Sequence, residues 1–251
     1  PAKNPIGKKI RGTFVSRWPG GKILASDYSQ AELRILAHIS KEPVFIKAYN
    51  DNIDIHLAVA ADIIYDKPKE EVLKEERTAV KTINFGLLYG MRAKKLAATL
   101  DIDFKVAEKM MNKYMTKMKG LKTFLDSARE SARANGYTET YFGRRRYVSK
   151  IFSTNTMDQW AAEREAANHI IQGTNADIIK LAMIEIQAML FRRNLKSKLI
   201  LQVHDELVLD VHPNELSFMI DEVIKIMESI VKFDVVMKAE GLYADSWSEA
   251  H

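Results

Sequence analysis

The sequence predicts an α+β fold: a small antiparallel sheet packed on helices, with a mostly helical insertion between the halves of the sheet. Three observations predict it. Apolar, strand-forming runs stand near the two ends of the chain, at 22–27, 198–212 and 235–243. The stretch between them carries apolar residues at helical spacing, as at 106, 110, 111, 114, 115 and 118. Strands, a helical block, then strands again with helices is the order of a sheet whose halves flank an insertion.

The elements follow in order. "RGTFVSRW" (11–18) alternates loosely, Pro19-Gly20-Gly21 turns, and "KILASD" (22–27) runs apolar, which predicts an opening hairpin. Ser29 starts a helix through "AELRILAHIS", with "SQAE" reading as a capping box from Ser29 to Glu32. Further helices are expected at 56–65, 73–90, 105–120 (ended by Gly120) and 121–135 (stopped by Asn135-Gly136). "YTETYFGRRRYV" reads as a small hairpin turning at Gly143, and helices follow at 157–171 and 174–192. A hairpin over 198–212, a helix at 214–231 and a strand at 235–243 complete the pattern.

Composition narrows the function classes. The 251 residues suffice for a sizeable core, and the absence of cysteine excludes a disulfide framework and thiolate metal sites. No apolar run reaches 18 residues, so no membrane helix is predicted, and "PAKNPIGKKIRG" lacks the apolar core of a signal peptide. The expectation is a cytoplasmic protein with no membrane partner. Lys and Arg number 38 against 33 Asp and Glu, a net charge of +5 that permits a polyanionic partner. Basic residues cluster in "GRRRY" (143–147) and "FRRNLKSK" (191–198), and the first 22 residues hold six cations and no acid. A solvated surface explains any one such cluster equally well.

Three constellations carry chemistry. In "QVHDELVLD" (202–210) two adjacent acids, Asp205 and Glu206, interrupt strand-forming residues. Unit charges about 4 Å apart repel by roughly 4 kcal/mol at an effective dielectric near 20, so water or a cation belongs with them. Asp27 ends the run "KILAS", outside the capping box. Should the two strand ends lie side by side, three carboxylates meet in a site suited to Mg²⁺. In "RTAVKTINFGLLYG", Arg77, Lys81, Phe85 and Tyr89 recur every four residues and form one drifting stripe on a helix. Core packing would explain the aromatics and solvation the cations, but one stripe is not easily both. A nucleoside triphosphate, anionic at one end and flat at the other, satisfies all four. Gly86 and Gly90 beside the aromatics suggest close approach of another segment. In "REAANHIIQGTNAD", Arg164, Asn168 and Gln172 form a polar stripe, read either as an exposed face or as contacts to a duplex.

Taken with "SDYSQAELRILAHIS" (26–40), "DIH" (54–56), "GRRRY", "QGTNADIIK" (172–180) and the closing "W…AH", these stretches resemble the polymerase domain of family A DNA polymerases, the bacterial DNA polymerase I type, over essentially the whole chain. The resemblance implies a palm at 1–50 and 151–251, helical fingers at 51–150, and no thumb or exonuclease domain in this sequence, so that a separate chain or missing segment would supply the thumb. It implies a DNA-directed DNA polymerase that transfers dNMP from dNTP to a primer 3′-hydroxyl with two Mg²⁺ ions, acting on primer-template DNA. Asp27, Asp205 and the Tyr28 carbonyl would hold metal, with Glu206 an accessory acid. Glu32 would exclude a ribose 2′-hydroxyl. His56, Arg77 and Lys81 would bind triphosphate, Lys81 also giving a proton to pyrophosphate. Phe85 would pack on deoxyribose and Tyr89 would lie by the templating base. Arg164, Asn168, Gln172 and His204 would contact primer and template. Lys3 aligns where the family commonly has an arginine that reads the minor groove, and lysine cannot fork to two acceptors.

Four rival readings stand beside this one. They are a reverse transcriptase or an RNA polymerase of the same fold, a metal-dependent nuclease, and an inactive nucleic-acid-binding fragment lacking its thumb.

Overall fold

The computed structural model describes residues 5–250. Its elements in chain order are α1 (Pro5–Gly12), β1 (Lys22–Tyr28), α2 (Ala31–Ser40), α3 (Pro43–Asn50), α4 (Ile55–Val59), α5 (Lys74–Leu88), α6 (Ala93–Leu100), α7 (Phe104–Lys117), α8 (Lys119–Asn135), β2 (Tyr137–Glu139), β3 (Arg145–Tyr147), α9 (Thr156–Arg192), β4 (Lys198–Val203), β5 (Glu206–Val211), α10 (Leu216–Ser229) and β6 (Ala239–Ala244). The fold is mixed helix and sheet, with a small antiparallel sheet as expected. It falls into two compact units. The first comprises Pro1–Ala31, Asn175–Lys232 and Val236–His251; the second comprises Glu32–Thr174 and Phe233–Val235.

The first unit holds a four-stranded sheet in the order β4-β5-β1-β6. β1 pairs antiparallel with β5 from Lys22↔Val211 to Asp27↔Glu206, and with β6 from Ile23↔Ala244 to Tyr28↔Ala239. Its apolar run is continuous because both faces are covered. On one face Ile23, Ala25 and Val208 pack with Trp247, Ala250 and Phe14. On the other, Ser26 Oγ meets Met227 Sδ of α10 at 3.3 Å and Tyr28 Oη donates to the Met227 carbonyl at 2.7 Å. Full burial of an Ile or Leu side chain, as at Ile23 and Leu24, is worth about 2 kcal/mol.

The expected hairpin over 11–27 does not form. Residues 5–12 are helical, and Val15 makes only an isolated bridge to Ser246. The polar groups of this segment go elsewhere: Ser16 Oγ and Arg17 Nε bond the buried carboxylate of Asp210 at 2.6 and 2.7 Å. The turn itself is present, with Gly21 N–H donating to the Trp18 carbonyl at 2.9 Å.

The second unit is helical apart from the β2–β3 hairpin, which turns at Gly143 as expected. α4 continues as a π-helical segment, Ala60–Tyr65. α8 ends at Gly136 in the left-handed region (φ 73°), the stop the sequence predicts. Gly120, in contrast, ends nothing: the break falls at Met118, and Gly120 lies in the first turn of α8, where a Cβ would stand 2.5 Å from the Ser40 carbonyl. The helices expected at 157–171 and 174–192 are one continuous helix, α9, of 37 residues. Gly173 sits inside it against Thr140, and Thr174 Oγ1 donates to the Ile170 carbonyl and accepts from Tyr141 N–H. That packing overrides a glycine cost of about 1 kcal/mol.

Candidate active site

In the first unit the register puts Asp27 directly across from Glu206, so the two predicted strand ends do lie side by side. Asp205 and His204 form the two-residue turn joining β4 to β5, and Tyr28 N–H donates to the Asp205 carbonyl at 3.4 Å. His204 has φ 56°, a conformation that costs an L-residue roughly 1–2 kcal/mol. Asp27 is exposed and Asp205 half-buried. Glu206 differs: it is 5% exposed, and its Oε1 accepts from Trp247 Nε1 at 2.5 Å. The expected cluster of three carboxylates is therefore not formed. Among the described residues no group of three His, Cys, Asp or Glu is arranged to hold a metal ion. Asp27 at the end of β1 and Asp205 in the turn before β5 carry carboxylates, hard oxygen donors of the kind Mg²⁺ takes together with water and phosphate oxygens.

In the second unit α5 carries the expected stripe. Arg77 Nη2 donates to Asp54 Oδ2 at 2.5 Å. Asp54 is also the N-cap of α4, accepting from Leu57 N–H at 2.9 Å. Burial alone would raise the Asp54 pKa, but the bonds from Arg77 and Leu57 outweigh it and hold the carboxyl below its usual range. Lys81 is exposed, and Phe85 is half-buried with His56 tilted against it at 5.7 Å between ring centroids. His56 is 3% exposed, and burial pushes its pKa down to about 4, with Asp54 opposing and Arg77 and Lys81 adding to the shift. It is thus a neutral ring at pH 7, not a third cation.

Tyr89 lies just past the last turn of α5. Its Oη donates to Glu32 Oε2 at 2.9 Å, Gln172 Nε2 donates to Glu32 Oε1 at 3.2 Å, and Asn168 Nδ2 donates to Gln172 Oε1 at 3.1 Å. Burial, then Glu32, raises the Tyr89 pKa and keeps the phenol protonated. α2 begins at Ala31, directly after Gln30 in the left-handed region (φ 55°), and the two Glu32 oxygens accept from Tyr89 and Gln172. Gly90 (φ 68°) permits the close approach the sequence suggests, since a Cβ there would fall 1.9 Å from Arg164 Cδ, while Met91 fills the space beside Gly86.

A groove of about 950 Å³ runs along this stripe, past Phe85 and Tyr89. Five cations line it, Lys81, Arg92, Lys94, Lys95 and Arg164, and no carboxylate does. The sequence reading missed Arg92, Lys94 and Lys95, although "MRAKK" directly follows Gly90, and it missed Asp54, whose place before an apolar turn is an N-cap signal. Of the expected residues, Lys3 lies outside the described ones. The basic cluster at 144–146 is already engaged: Arg145 with Glu139, Arg146 with Glu165, and Arg144 with the Gly173 carbonyl.

The first unit thus brings acidic side chains to one strand end, and the second carries an acid-free cationic groove edged by aromatics. A family model described as DNA polymerase family A matches residues 1–249. The chain belongs to DNA polymerase family A. It is 38% identical over 251 residues to DNA polymerase I of Pseudomonas aeruginosa and 42% identical over 251 residues to that of Caldicellulosiruptor bescii, and it spans 27% and 29% of their lengths. The solved POL domain of Pol1 from M. smegmatis, in complex with DNA primer-template and dNTP, matches it with a TM-score of 0.92 at 37% identity, over 100% of this chain and 44% of that one. No helix among the described residues is long and apolar enough to cross a membrane.

Proposed function

We propose that this chain forms the palm and fingers of a DNA polymerase, adding dNMP from dNTP to a primer 3′-hydroxyl on a DNA template. The observation that carries the reading is the acid-free groove of five cations along the Phe85–Tyr89 edge of α5. Asp27, Asp205 and the Tyr28 carbonyl would hold divalent metal. Bound Mg²⁺ would supply activation of the primer hydroxyl and neutralisation of charge on the transferring phosphate. Arg77 keeps donors beyond the one spent on Asp54 and would fork onto phosphate oxygens, with Lys81 a mobile point charge. His56 would add a neutral N–H donor. Phe85 would meet the sugar and Tyr89 the templating position. Glu32, fixed by two donors, would bar a 2′-hydroxyl. Arg164, Asn168, Gln172 and His204 would touch primer and template.

The relatives are several times longer than this chain, and what they add would strengthen the grip on duplex. Primer extension is therefore best measured at low salt and high enzyme concentration. Asp27→Asn and Asp205→Asn are each expected to lower extension by at least about 10³-fold while leaving far-UV circular dichroism unchanged. Near-normal extension by either variant would remove that residue from the metal site. Binding of primed DNA with no turnover by the unaltered chain would favour the binding-fragment reading instead.

A further inference from the structure

Behind the contact between α4 and α5, three buried polar side chains from three helices form a line. Tyr114 (α7) is 0% exposed, Asn84 (α5) 1% and His56 (α4) 3%. Tyr114 Oη donates to Asn84 Oδ1 at 2.8 Å, and Asn84 Nδ2 lies 3.0 Å from His56 Nδ1. The phenol has no other hydrogen-bond partner among the described residues, so its proton has one place to go. Turning the amide over would set an N–H₂ group against that proton and leave it without an acceptor in a dry interior. The amide orientation is thus fixed by Tyr114. Asn84 Nδ2 then donates, His56 Nδ1 accepts, and the single proton of the neutral ring must sit on Nε2. Nε2 has no hydrogen-bond partner of its own among the described residues.

We propose that Tyr114 and Asn84 are positioning residues that lock His56 in its Nε2–H tautomer, so that α4 presents a neutral donor to the triphosphate held by Arg77 and Lys81. This rests on the triphosphate reading of the α5 stripe. A neutral donor suits the place. A charged imidazole would repel Arg77 and Lys81, whereas a fixed N–H adds direction without adding charge. The tilted contact with Phe85 and the Asp54 bond to Arg77 tie the ring and Arg77 to α4 and α5, and Lys81 lies one turn along α5.

The test uses the whole chain with ¹⁵N-labelled histidine. Long-range ¹H–¹⁵N correlation spectra at pH 7.5 distinguish the two tautomers, and loss of one of the six ring systems in His56→Gln assigns the signal. The expected result is Nε2–H in the unaltered chain and a tautomer mixture in Tyr114→Phe. In Asn84→Asp, which replaces the donor with an acceptor of the same size, a proton is expected on Nδ1. Primer extension should show KM for dNTP rising roughly two- to fivefold in Tyr114→Phe, the reciprocal of the Nε2–H fraction left in the mixture, with kcat within about threefold. Nδ1–H in the unaltered chain, or Nε2–H unchanged in both variants, overturns the positioning role. The expected spectra with an unmoved KM overturn the ligand half of the proposal and implicate the triphosphate reading, not the buried line.

Discussion

His56 shows how surroundings set the chemistry of one side chain. An imidazole in an unfolded chain titrates near 6.5, but burial, with Arg77 and Lys81 adding and Asp54 opposing, brings this one to about 4. Between those values the unfolded state binds the proton and the folded state does not. Stability is therefore whole above about pH 6.5 and is lost as pH falls toward 4, by up to about 3 kcal/mol. Urea unfolding at pH 7.0 and 5.0 should show a loss on the order of 2 kcal/mol from this group, and His56→Gln should lose correspondingly less. His38, its pKa lowered first by burial, contributes a slope of the same sign in both proteins and cancels in the comparison. An equal loss in the two would mean that His56 is not held neutral. Glu206 makes the same point: Asp205 beside it stays half in water, while the Trp247 indole and the packing around it take Glu206 out of any three-acid cluster.

At the scale of the element, the β4–β5 hairpin was legible because its strands and two-residue turn are local. The turn nevertheless places His204 where asparagine or glycine is at home. His204→Asn should raise stability by about 0.5–1 kcal/mol in urea unfolding, since asparagine tolerates the left-handed region better. A neutral or destabilising result would show that the imidazole makes up for the strain. What was not legible has a common physical cause, partners distant in sequence. The loose alternation at 11–18 gave way because Ser16 and Arg17 meet Asp210, 194 and 193 positions away. The break expected near 172–174 gave way because Tyr141 N–H and the Thr140 methyl pack against Thr174 and Gly173. The α5 stripe could be read from a four-residue spacing, but Asn84 and Tyr114, 30 positions apart on different helices, carry no spacing that would link them.

Over the whole molecule, a net charge of +5 says little about partners, because the distribution matters more than the sum. The arginines that look most basic in the sequence are largely spent on neighbouring acids, Arg145 on Glu139, Arg146 on Glu165 and Arg192 on Glu185. The groove cations face no acid on its walls. If the groove tracks a single strand with all five, the logarithm of the binding constant should fall with the logarithm of salt concentration at a slope of about −3 to −4. Fluorescence anisotropy with a labelled single-stranded oligonucleotide between 50 and 200 mM salt measures it. Lys94→Gln with Lys95→Gln should make the slope shallower by about 1.4, two phosphate contacts' worth. Lys196→Gln with Lys198→Gln lowers the net charge by the same two, at exposed positions of the other unit, and should leave the slope within about 0.3 of the unaltered chain. Equal effects from the two pairs would mean that the chain holds nucleic acid by overall charge, and the groove would lose its place in the proposed function.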